Sequence, residues 1–592
     1  MKRETRWRTD NLCGARLART GRIVMALLIP LTVGCGGEMP DELQGEQLEE
    51  DSQSLTAAGS CQAGVSAGAV RAPTFVRNFG SETSWFASPV VVDLDRNGTQ
   101  EIVASMSSTS VFSSQGQLLS SGTTGAGRVW SPPVVADLDA DGTMEVVAGR
   151  GKNVIAWEWK NRALQLKSGW PKDTTTAGQS PEVSGLAAGD LNLDGRIEVV
   201  ATTTQRAATS NGGAQVFTYS ANGQSYQPAT CPWKAWPRYN ALRGTGNDAD
   251  RNGAGHQGYA AYGLNVGIGQ VDSDAPLEIA ATYDNHFLQI FNHDGAAANA
   301  SPYFTNRTSA YFGQRLTWGQ MIRFPDAKVE AAQYNTHTGP WAGPSWTEWL
   351  QWTRSPPSIV DIDRDGKAEV VGVANVERYE PYQTQAWALT VFQGGHDGGA
   401  QAAKRKPGWE VFPRGGKPIQ VSGYYPPMGI PAVAFANLSG DSKLEMVVGL
   451  NDGFVYAFNS SAQRLWRVDI RNGQSIMFST EPVIADLNQD GSPEVVVATY
   501  GAPNKPGVGR LMVLSASGQV LHNIALPNQR SNGNATGSAG APTIADVDGN
   551  GTLEILVQTF DHGIDMFTVP ASGKKCVPWS TARGSALRQG RP

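Results

Sequence analysis

The sequence predicts an all-β protein that is built from one repeated unit, and three observations carry this prediction. First, one pattern of alternating oxygen-bearing side chains between two apolar runs occurs eight times along the 592 residues. Second, 68 glycines and a charged fraction of only 17% are typical of a turn-rich β protein. Third, the apolar runs are short, rich in β-branched residues and bounded by turn residues, as strands are. Self-similarity of this kind indicates a repeat architecture.

The repeated pattern places oxygen ligands at a fixed spacing. In the copy at residues 134–149, VVADLDADGTMEVVAG, aspartates stand at positions 1, 3 and 5 (Asp137, Asp139 and Asp141), glycine at position 6 and Glu145 at position 9. Alternate oxygens in a tight loop can converge on one point, and glycine permits the positive φ that turns the chain back. Because these carboxylates would repel one another without a cation, and because no histidine or thiolate takes part, the pattern predicts several structural Ca²⁺ sites.

Six copies keep the complete pattern, and two are degenerate. Gln270 replaces the first aspartate of one degenerate copy, and the other begins with Asn437 and has serine at positions 3 and 6, so we expect little or no metal at either. The predicted ligands at positions 1, 3, 5 and 9 of the complete copies are Asp93, Asp95, Asn97 and Glu101; Asp137, Asp139, Asp141 and Glu145; Asp190, Asn192, Asp194 and Glu198; Asp361, Asp363, Asp365 and Glu369; Asp486, Asn488, Asp490 and Glu494; and Asp546, Asp548, Asn550 and Glu554.

Two other interpretations of the loop were weighed. An EF-hand needs a bidentate glutamate at position 12, where the copies have Ala104, Ala148 or Gly372, and it needs helices on both sides. A plain hairpin turn could use Asp and Asn only to bond its own backbone. Six complete copies with a fixed acidic ninth position favour a metal loop between two strands.

The residues after each loop extend the unit to four strands. Residues 452–459, DGFVYAFN, predict a third strand, and residues 463–466, QRLW, begin a fourth. Four short antiparallel strands make one blade of a β-propeller, so the sequence predicts eight blades, or seven if one degenerate copy is not a blade. The last unit lacks a good fourth strand, and residues 72–80, APTFVRNFG, have the character to supply it and close the ring. Closure would bring Cys61 near Cys576, a possible disulfide, with Cys231 as the rival partner.

The N-terminus predicts an exported lipoprotein. Basic residues precede an apolar run at 23–33, which is shorter than the about 20 residues that span a bilayer but suits a signal-peptide core. The run ends in LTVGCG, which resembles a lipobox, so residues 1–35 are a predicted signal peptide and Cys35 the lipidation site; an ordinary signal peptide is the alternative. Gly36 resembles the outer-membrane sorting class. Residues 36–70 are predicted to be an acidic, disordered tether.

The loops of form D-x-[DN]-x-[DN]-G-x-x-E between strands resemble FG-GAP/VCBS repeats, the units of integrin α-subunit-like β-propellers. The resemblance covers roughly residues 70 to 575, and it implies a propeller at 71–575 with Ca²⁺ bound in its loops. It implies less about function, because propellers of this kind serve many ends. The remaining residues, 576–592, are predicted to be a C-terminal tail.

Two stretches exceed the length of a blade, near 205–262 and 296–356. The second is rich in aromatic residues, and long insertions on a rigid scaffold are where recognition usually lies. Exposed tryptophans suit both sugar rings and protein hot spots. The candidate ligand-binding residues are therefore Trp341, Trp346, Trp349 and Trp352. The alternative is that these aromatic residues only pack the insertion onto the rim.

The sequence favours a binding protein over an enzyme. The seven histidines lack metal-ligand spacing, and no nucleophile elbow or phosphate loop occurs in a convincing context. A net charge of −6 without a basic stripe argues against a nucleic-acid partner. We therefore expect a calcium-stabilised cell-surface adhesion module for a glycan or protein ligand, bound to the membrane by an N-terminal lipid. The alternatives are a polysaccharide lyase, by resemblance to propeller-type rhamnogalacturonan lyases, and a non-binding envelope scaffold.

Overall fold

The computed structural model describes residues 60–175, 182–204, 214–226, 236–237, 264–282, 288–295, 309–311, 314–316, 325–328, 348–352, 356–377, 385–394, 405–421, 430–502, 505, 507–529 and 536–592. Within these ranges the chain is all-β and almost without helix, and eight antiparallel sheets form the blades of a β-propeller. The predicted fold class is confirmed, with eight blades rather than seven. No helix in these ranges is long and apolar enough to cross a bilayer.

The blades share one plan, in which the strands pair antiparallel and the acidic loop joins the innermost strand to the second. The first strand of the chain, β1 (Thr74–Phe79), belongs to the last blade. The strands of blades 1 to 4 are β2 (Val90–Val92), β3 (Glu101–Ser105), β4 (Thr109–Ser113) and β5 (Leu118–Gly122); β6 (Val134–Ala136), β7 (Glu145–Arg150), β8 (Asn153–Lys160), β9 (Ala163–Leu166) and β10 (Lys172–Asp173); β11 (Glu182–Gly189), β12 (Glu198–Thr204), β13 (Ala214–Tyr219) and β14 (Trp236–Pro237); and β15 (Val266–Gly269), β16 (Glu278–Thr282) and β17 (Leu288–Phe291).

The second half of the ring follows a two-stranded hairpin, β18 (Ser309–Tyr311) and β19 (Gln314–Leu316). Its blades contain β20 (Trp349–Gln351), β21 (Ser358–Val360), β22 (Glu369–Glu377) and β23 (Ala386–Phe392); β24 (Ala434–Ala436), β25 (Glu445–Gly449), β26 (Phe454–Phe458) and β27 (Arg464–Asp469); β28 (Phe478–Ser479), β29 (Val483–Ala485), β30 (Glu494–Tyr500), β31 (Arg510–Leu514) and β32 (Val520–Ala525); and β33 (Thr543–Ala545), β34 (Glu554–Gln558) and β35 (Ile564–Thr568). In blades 5 and 7 the innermost strand is interrupted, since β20 and β21 both pair with β22, and β28 and β29 both pair with β30.

The place of a strand in its blade explains its residue types. Every residue of β30 is buried, because the second strand of a blade has neighbouring blades on both faces. Its sequence, EVVVATY, is accordingly a continuous apolar run after the glutamate. The outermost strand β27, RLWRVD, is mostly exposed and mixes charged with apolar residues.

The ring closes as the sequence predicts. Strand β1 pairs antiparallel with β35, with Thr74 opposite Thr568 and Phe79 opposite Ile564, and so supplies the fourth strand of blade 8. This pairing covers an edge that would otherwise expose unpaired backbone groups. A disulfide joins Cys61 to Cys576 beside the closure.

The end of the predicted tether is folded onto the ring, which corrects its boundary. Residues 60–70 are described, and the N–H groups of Gly64 and Ala67 donate to the carbonyls of Gln489 and Asn488 at 2.9 and 2.8 Å. The Cys61 disulfide and these hydrogen bonds hold this segment against the acidic loop of blade 7. Its composition resembles a linker, but the covalent bond removes much of the entropy that would keep it disordered.

The C-terminal segment, residues 576–592, is not the predicted tail. Its backbone carbonyls accept hydrogen bonds of 2.8 to 3.2 Å from the innermost strands of five blades, through the N–H groups of Val135, Ala188, Ile268, Ile484 and Ile544. The inner side of an innermost strand is a sheet edge, whose donors need partners when they are buried. The segment supplies those partners and so fills the centre of the ring.

Two arginines of this segment are completely buried. The guanidinium of Arg588 donates to the Pro133 carbonyl at 2.9 Å, and that of Arg583 donates to the Pro357 carbonyl. The buried Glu481 accepts from the Arg583 backbone N–H at 2.6 Å and from the Trp579 indole at 3.0 Å. Burial lowers the pKa of Arg583 to about 10 and that of Arg588 to about 9, although the nearby Glu481 carboxylate opposes this shift. Polar groups at the centre are thus mostly satisfied by main-chain partners.

Candidate metal centres

The six complete loops share one hydrogen-bonded frame. Both the first and the fifth position accept backbone N–H groups: the first from the glycine at position 6, at 2.6 to 3.0 Å, and the fifth from position 7, at 2.7 to 2.9 Å. These bonds tighten the loop so that its side-chain oxygens face inward. The hydrogen bonds expected for a plain Asx turn are therefore present. The evidence for metal binding lies in the side-chain oxygens that these bonds do not use.

The backbone of the loop is held in a conformation that side chains disfavour. Position 6 is glycine with positive φ, as at Gly142 with φ of 88°. Position 4 is also left-handed although it carries a side chain in five of the six loops, for example Ala140 with φ of 58° and Arg364 with 61°. Each such residue costs about 1–2 kcal/mol. Strain repeated at one position of every loop indicates that the loop serves a purpose beyond reversing the chain.

The glutamate at position 9 is bound in the same way in all eight copies. Its Oε2 accepts the backbone N–H of position 2 at 2.7 to 3.0 Å, as between Glu145 and Leu138. The other oxygen, Oε1, remains for a cation or another donor. Burial raises the pKa of Glu198 to about 7 and that of Glu494 to about 8, partly opposed by this backbone bond. A nearby cation would favour the charged form of these carboxyls.

The side chains converge as a metal site requires. In the described residues, carboxylate oxygens lie within 4.8 Å of one another in five loops: Asp93, Asp95 and Glu101; Asp137, Asp139 and Glu145; Asp272, Asp274 and Glu278; Asp361, Asp363 and Asp365; and Asp546, Asp548 and Glu554. Within these loops, Oδ1 of Asp139, Asp363 and Asp546 and Oε1 of Glu278 are buried without a hydrogen-bond donor. An unpartnered buried carboxylate oxygen is costly, and an all-oxygen donor set suits a hard cation. The residues therefore fit a metal ion.

The two complete loops outside that set use asparagine at position 3. The Asn192 amide donates to Asp194 at 3.1 Å, and the Asn488 amide donates to Asp490 at 2.9 Å. Each loop keeps three carboxylates, and its amide oxygen is a further neutral oxygen that could serve a cation.

The degenerate copies differ from each other. In the copy that begins at Gln270, three carboxylates still converge, and the glutamine amide donates to the carbonyl of Asp274, inside the loop. The lost first aspartate makes metal doubtful in the sequence, but the retained Asp272, Asp274 and Glu278 converge as in the complete loops. In the copy that begins at Asn437, the Ser439 hydroxyl donates to Oε1 of Glu445 at 3.1 Å. A neutral hydroxyl thus satisfies this oxygen, as the Thr568 hydroxyl does for Glu554, whereas a lysine ammonium does so for Glu145 and for Glu369.

The other predicted site residues fall in different places. Trp352 is completely buried and packs on Phe392 with ring centroids 6.2 Å apart, so this tryptophan belongs to the core of blade 5 and not to a ligand-binding surface. Trp349 lies in β20, paired with Glu377. Cys35, Cys231, Trp341 and Trp346 lie outside the described residues.

Comparison with known proteins agrees with this geometry. The model of the FG-GAP-like repeat matches residues 137–201 and 486–557, and both matches begin at position 1 of a complete loop. The fold and its loops define a β-propeller with acidic, cation-type loops. The chain contains FG-GAP-like repeats at these residues, in a fold that is an eight-bladed β-propeller. No curated protein matches the chain.

Solved structures with similar folds are distant. The biofilm matrix protein Bap1 of V. cholerae is 14% identical, with 85% of this chain and 92% of that chain covered and a TM-score of 0.34. BamB from Moraxella catarrhalis is 13% identical, with 82% and 97% covered and a TM-score of 0.35. The rhamnogalacturonan lyase PL11 of Bacillus licheniformis is 11% identical, with 87% and 95% covered and a TM-score of 0.28. Similarities this low carry no functional argument.

Proposed function

We propose that this protein is a calcium-stabilised binding module of the cell envelope that recognises a glycan or protein ligand. The observation that carries the proposal is a closed ring whose centre is filled by its own residues 576–592. Such a ring is a rigid support, and rigid supports commonly present ligand-binding segments on their loops. The segments that exceed the blade plan lie within the predicted stretches 205–262 and 296–356, outside the blade strands β13, β14 and β20 that those stretches also contain.

Calcium is the ion that best suits the loops. Their ligands are carboxylate, amide and carbonyl oxygens in a flexible frame, and Ca²⁺ accepts six to eight such ligands at about 2.3–2.6 Å. The strict octahedral demand of Mg²⁺ is harder to meet with these loops. Dissociation constants of about 10⁻⁴–10⁻³ M are usual for extracellular calcium modules. The Cys61–Cys576 disulfide supports an exported location, since such bonds persist in oxidising compartments.

The ligand can be sought with the purified mature protein. A glycan array in calcium should return one class of sugar or, if it does not, an affinity capture on envelope extracts should return one protein partner. EDTA should abolish binding and restored calcium should recover it, because the ring carries the binding segments. Replacing Trp346 and Trp349 together with alanine should abolish binding without changing the calcium-dependent melt. Absence of any ligand would refute the proposal, and release of unsaturated sugars from pectic substrates would identify a lyase instead.

The membrane anchor has its own test. The lipobox-like sequence and Cys35 support attachment through a lipid, and residues 36–59 would give the ring reach above the membrane. Cys35→Ser should release the protein from membranes into a soluble exported form. A wild-type protein that is soluble, with an unmodified N-terminus, would contradict the anchor but not the binding function.

A further inference from the structure

Two of the complete loops receive a buried lysine from the outer part of their own blade. In blade 2, Nζ of Lys167 lies 2.8 Å from Oδ2 of Asp139 and 3.0 Å from Oε1 of Glu145. In blade 5, Nζ of Lys406 lies 2.7 Å from both Oδ2 of Asp363 and Oε1 of Glu369. The lysine side chains are only 5% and 8% exposed. In both loops the ammonium therefore bridges positions 3 and 9.

Each lysine is held by the same short turn, with sequence K-x-G-W. These are residues 167–170, KSGW, and residues 406–409, KPGW. The backbone N–H of the tryptophan donates to the backbone carbonyl of the lysine, at 3.2 Å in the first turn and 2.9 Å in the second. The glycine has a φ of +87° in both turns. The indole N–H groups of Trp170 and Trp409 donate to carbonyls of the next blade at 3.1 and 2.8 Å. The lysines are thus fixed in place and are not mobile surface groups.

The two loops with a lysine are also the two with the most negative ligand sets. Their positions 1, 3, 5 and 9 are all carboxylates, whereas each of the other four complete loops has one asparagine and three carboxylates. Four carboxylates with one ammonium and three carboxylates without one give the same formal charge, −3. Glu158 also contacts Lys167, at 3.2 Å, but Lys160 pairs with it at 2.8 Å. Among the described residues two further cations reach a position-1 carboxylate, Arg96 at Asp137 and Lys574 at Asp546, both at 3.3 Å, but their side chains are 48% and 69% exposed, so their charge is largely screened.

The lysines leave room for the ion. The ammonium occupies Oδ2 of Asp139 and of Asp363, while Oδ1 of each remains buried and without a donor. One oxygen of the position-3 carboxylate therefore serves the lysine and the other is available to the loop. A lysine that replaced the ion would have no reason to leave that second oxygen unpartnered.

We propose that Lys167 and Lys406 are charge-balancing residues that set the calcium affinity of the two four-carboxylate loops to that of the three-carboxylate loops. The inference rests on the proposed calcium binding. Ligand charge is a main determinant of affinity in calcium loops, so without the lysines these two loops would bind far more tightly than the rest. Six matched loops would load and empty over one range of calcium concentration. The ring would then gain or lose its ions as a unit.

The test uses Lys406→Met in the mature protein, with Lys152→Met as the matched control. Lys152 pairs with Asp173 on the surface of blade 2, 2.6 Å away, and touches no loop carboxylate. In wild type and control, metal analysis and calcium titration should find at least six ions of similar affinity. In Lys406→Met, one ion per chain should bind about tenfold more tightly or better, because one positive charge near it is gone. The melting temperature of that variant should fall more than that of wild type in EDTA.

A second substitution separates charge from simple packing. Lys406→Met with Asp363→Asn reproduces the Asn192 and Asn488 loops, so the affinity should return to the wild-type range and much of the EDTA stability should recover. The proposal is overturned if wild type lacks ions that Lys406→Met gains, which would make the lysine a substitute for calcium. It is equally overturned if the variant keeps wild-type affinity or if Asp363→Asn rescues nothing. Failure of every protein to bind calcium would instead refute the proposed function.

Discussion

Replacing Trp579 with alanine tests whether the C-terminal segment is the centre of the ring. This side chain is completely buried, and its indole N–H donates to Oε1 of Glu481 at 3.0 Å. The indole ring of Trp579 packs against the ring of Phe435, with centroids 5.5 Å apart, and the Trp579 backbone pairs with Ile484. One substitution therefore removes packing against blades 6 and 7 and a donor to a buried carboxylate. The sequence-based prediction of a tail would make the same substitution harmless.

The expected loss follows from burial. A tryptophan that goes from water to a core buries roughly 150–250 Å², worth about 4–6 kcal/mol at about 25 cal/mol per Å². Relaxation of the cavity lowers this figure, and measured Trp→Ala losses in cores are about 3–5 kcal/mol. The lost donor to Glu481 adds to the cost, although the Arg583 N–H still donates to the same oxygen at 2.6 Å. We expect Trp579→Ala to lower the free energy of unfolding by about 3–5 kcal/mol.

Urea unfolding of the full mature chain in saturating calcium measures this loss, with circular dichroism as the signal. Leu465→Ala is the control, because Leu465 lies on the outermost strand β27 and is 44% exposed. The control should change stability by no more than about 0.5 kcal/mol. If Trp579→Ala shifts the unfolding midpoint no more than the control does, the segment does not fill the centre of the ring.

Three further predictions concern the loops. EDTA should lower the melting temperature strongly. When the free calcium concentration is about ten times the dissociation constant, six sites together add about 8 kcal/mol of stability. An unchanged melt, with no metal in the purified protein, would refute calcium binding. In EDTA, the free energy of unfolding should fall as pH rises from about 5 to 8. The reason is that Glu198 and Glu494, with pKa values of about 7 and 8, keep protons in the folded chain that the unfolded chain has lost. A rise in the denaturation midpoint through this window would contradict the burial of these carboxyls. Gly98→Ala should lower the free energy of unfolding by about 1–2 kcal/mol through the φ of +84° alone, because the added methyl group would have no atom within 4 Å. No loss of stability would show that the turn can adapt.

The repeats made most of the ring predictable from the sequence. Each acidic loop is flanked by strands at a constant sequence separation. One complete copy, such as residues 134–149, therefore predicts a blade, and eight copies predict the ring. The closing strand at 74–79 could be assigned because the last unit lacked a partner that only an earlier segment could supply. The Cys61–Cys576 pairing followed from that closure. These inferences depend on local patterns that repeat.

The features that could not be predicted depend on single, non-local contacts. Nothing in the sequence marks Arg583 and Arg588 as buried, because arginine is rarely buried without partners. Their partners are carbonyl groups such as that of Pro133, which come together only when eight blades surround one point. Trp352 belongs by sequence to an aromatic insertion, yet it packs in blade 5. The role of Lys406 had a signal in the sequence, the repeated K-x-G-W turn beside a four-carboxylate loop, which becomes meaningful only when the charges of the loops are compared.

The same contrast limits where a specific ligand can bind. Eight similar blades present eight similar environments, and their second strands are buried between neighbouring blades, as β30 is throughout its length. Residues 576–592 occupy the centre of the ring. The six complete loops share the same hydrogen-bonded backbone and, when the lysines are counted, the same formal charge. A ligand that is recognised specifically needs a surface that occurs once, and repetition cannot supply one. Under the proposed function, recognition therefore comes from segments that do not repeat, and calcium would act on it through the stability of the ring that carries them.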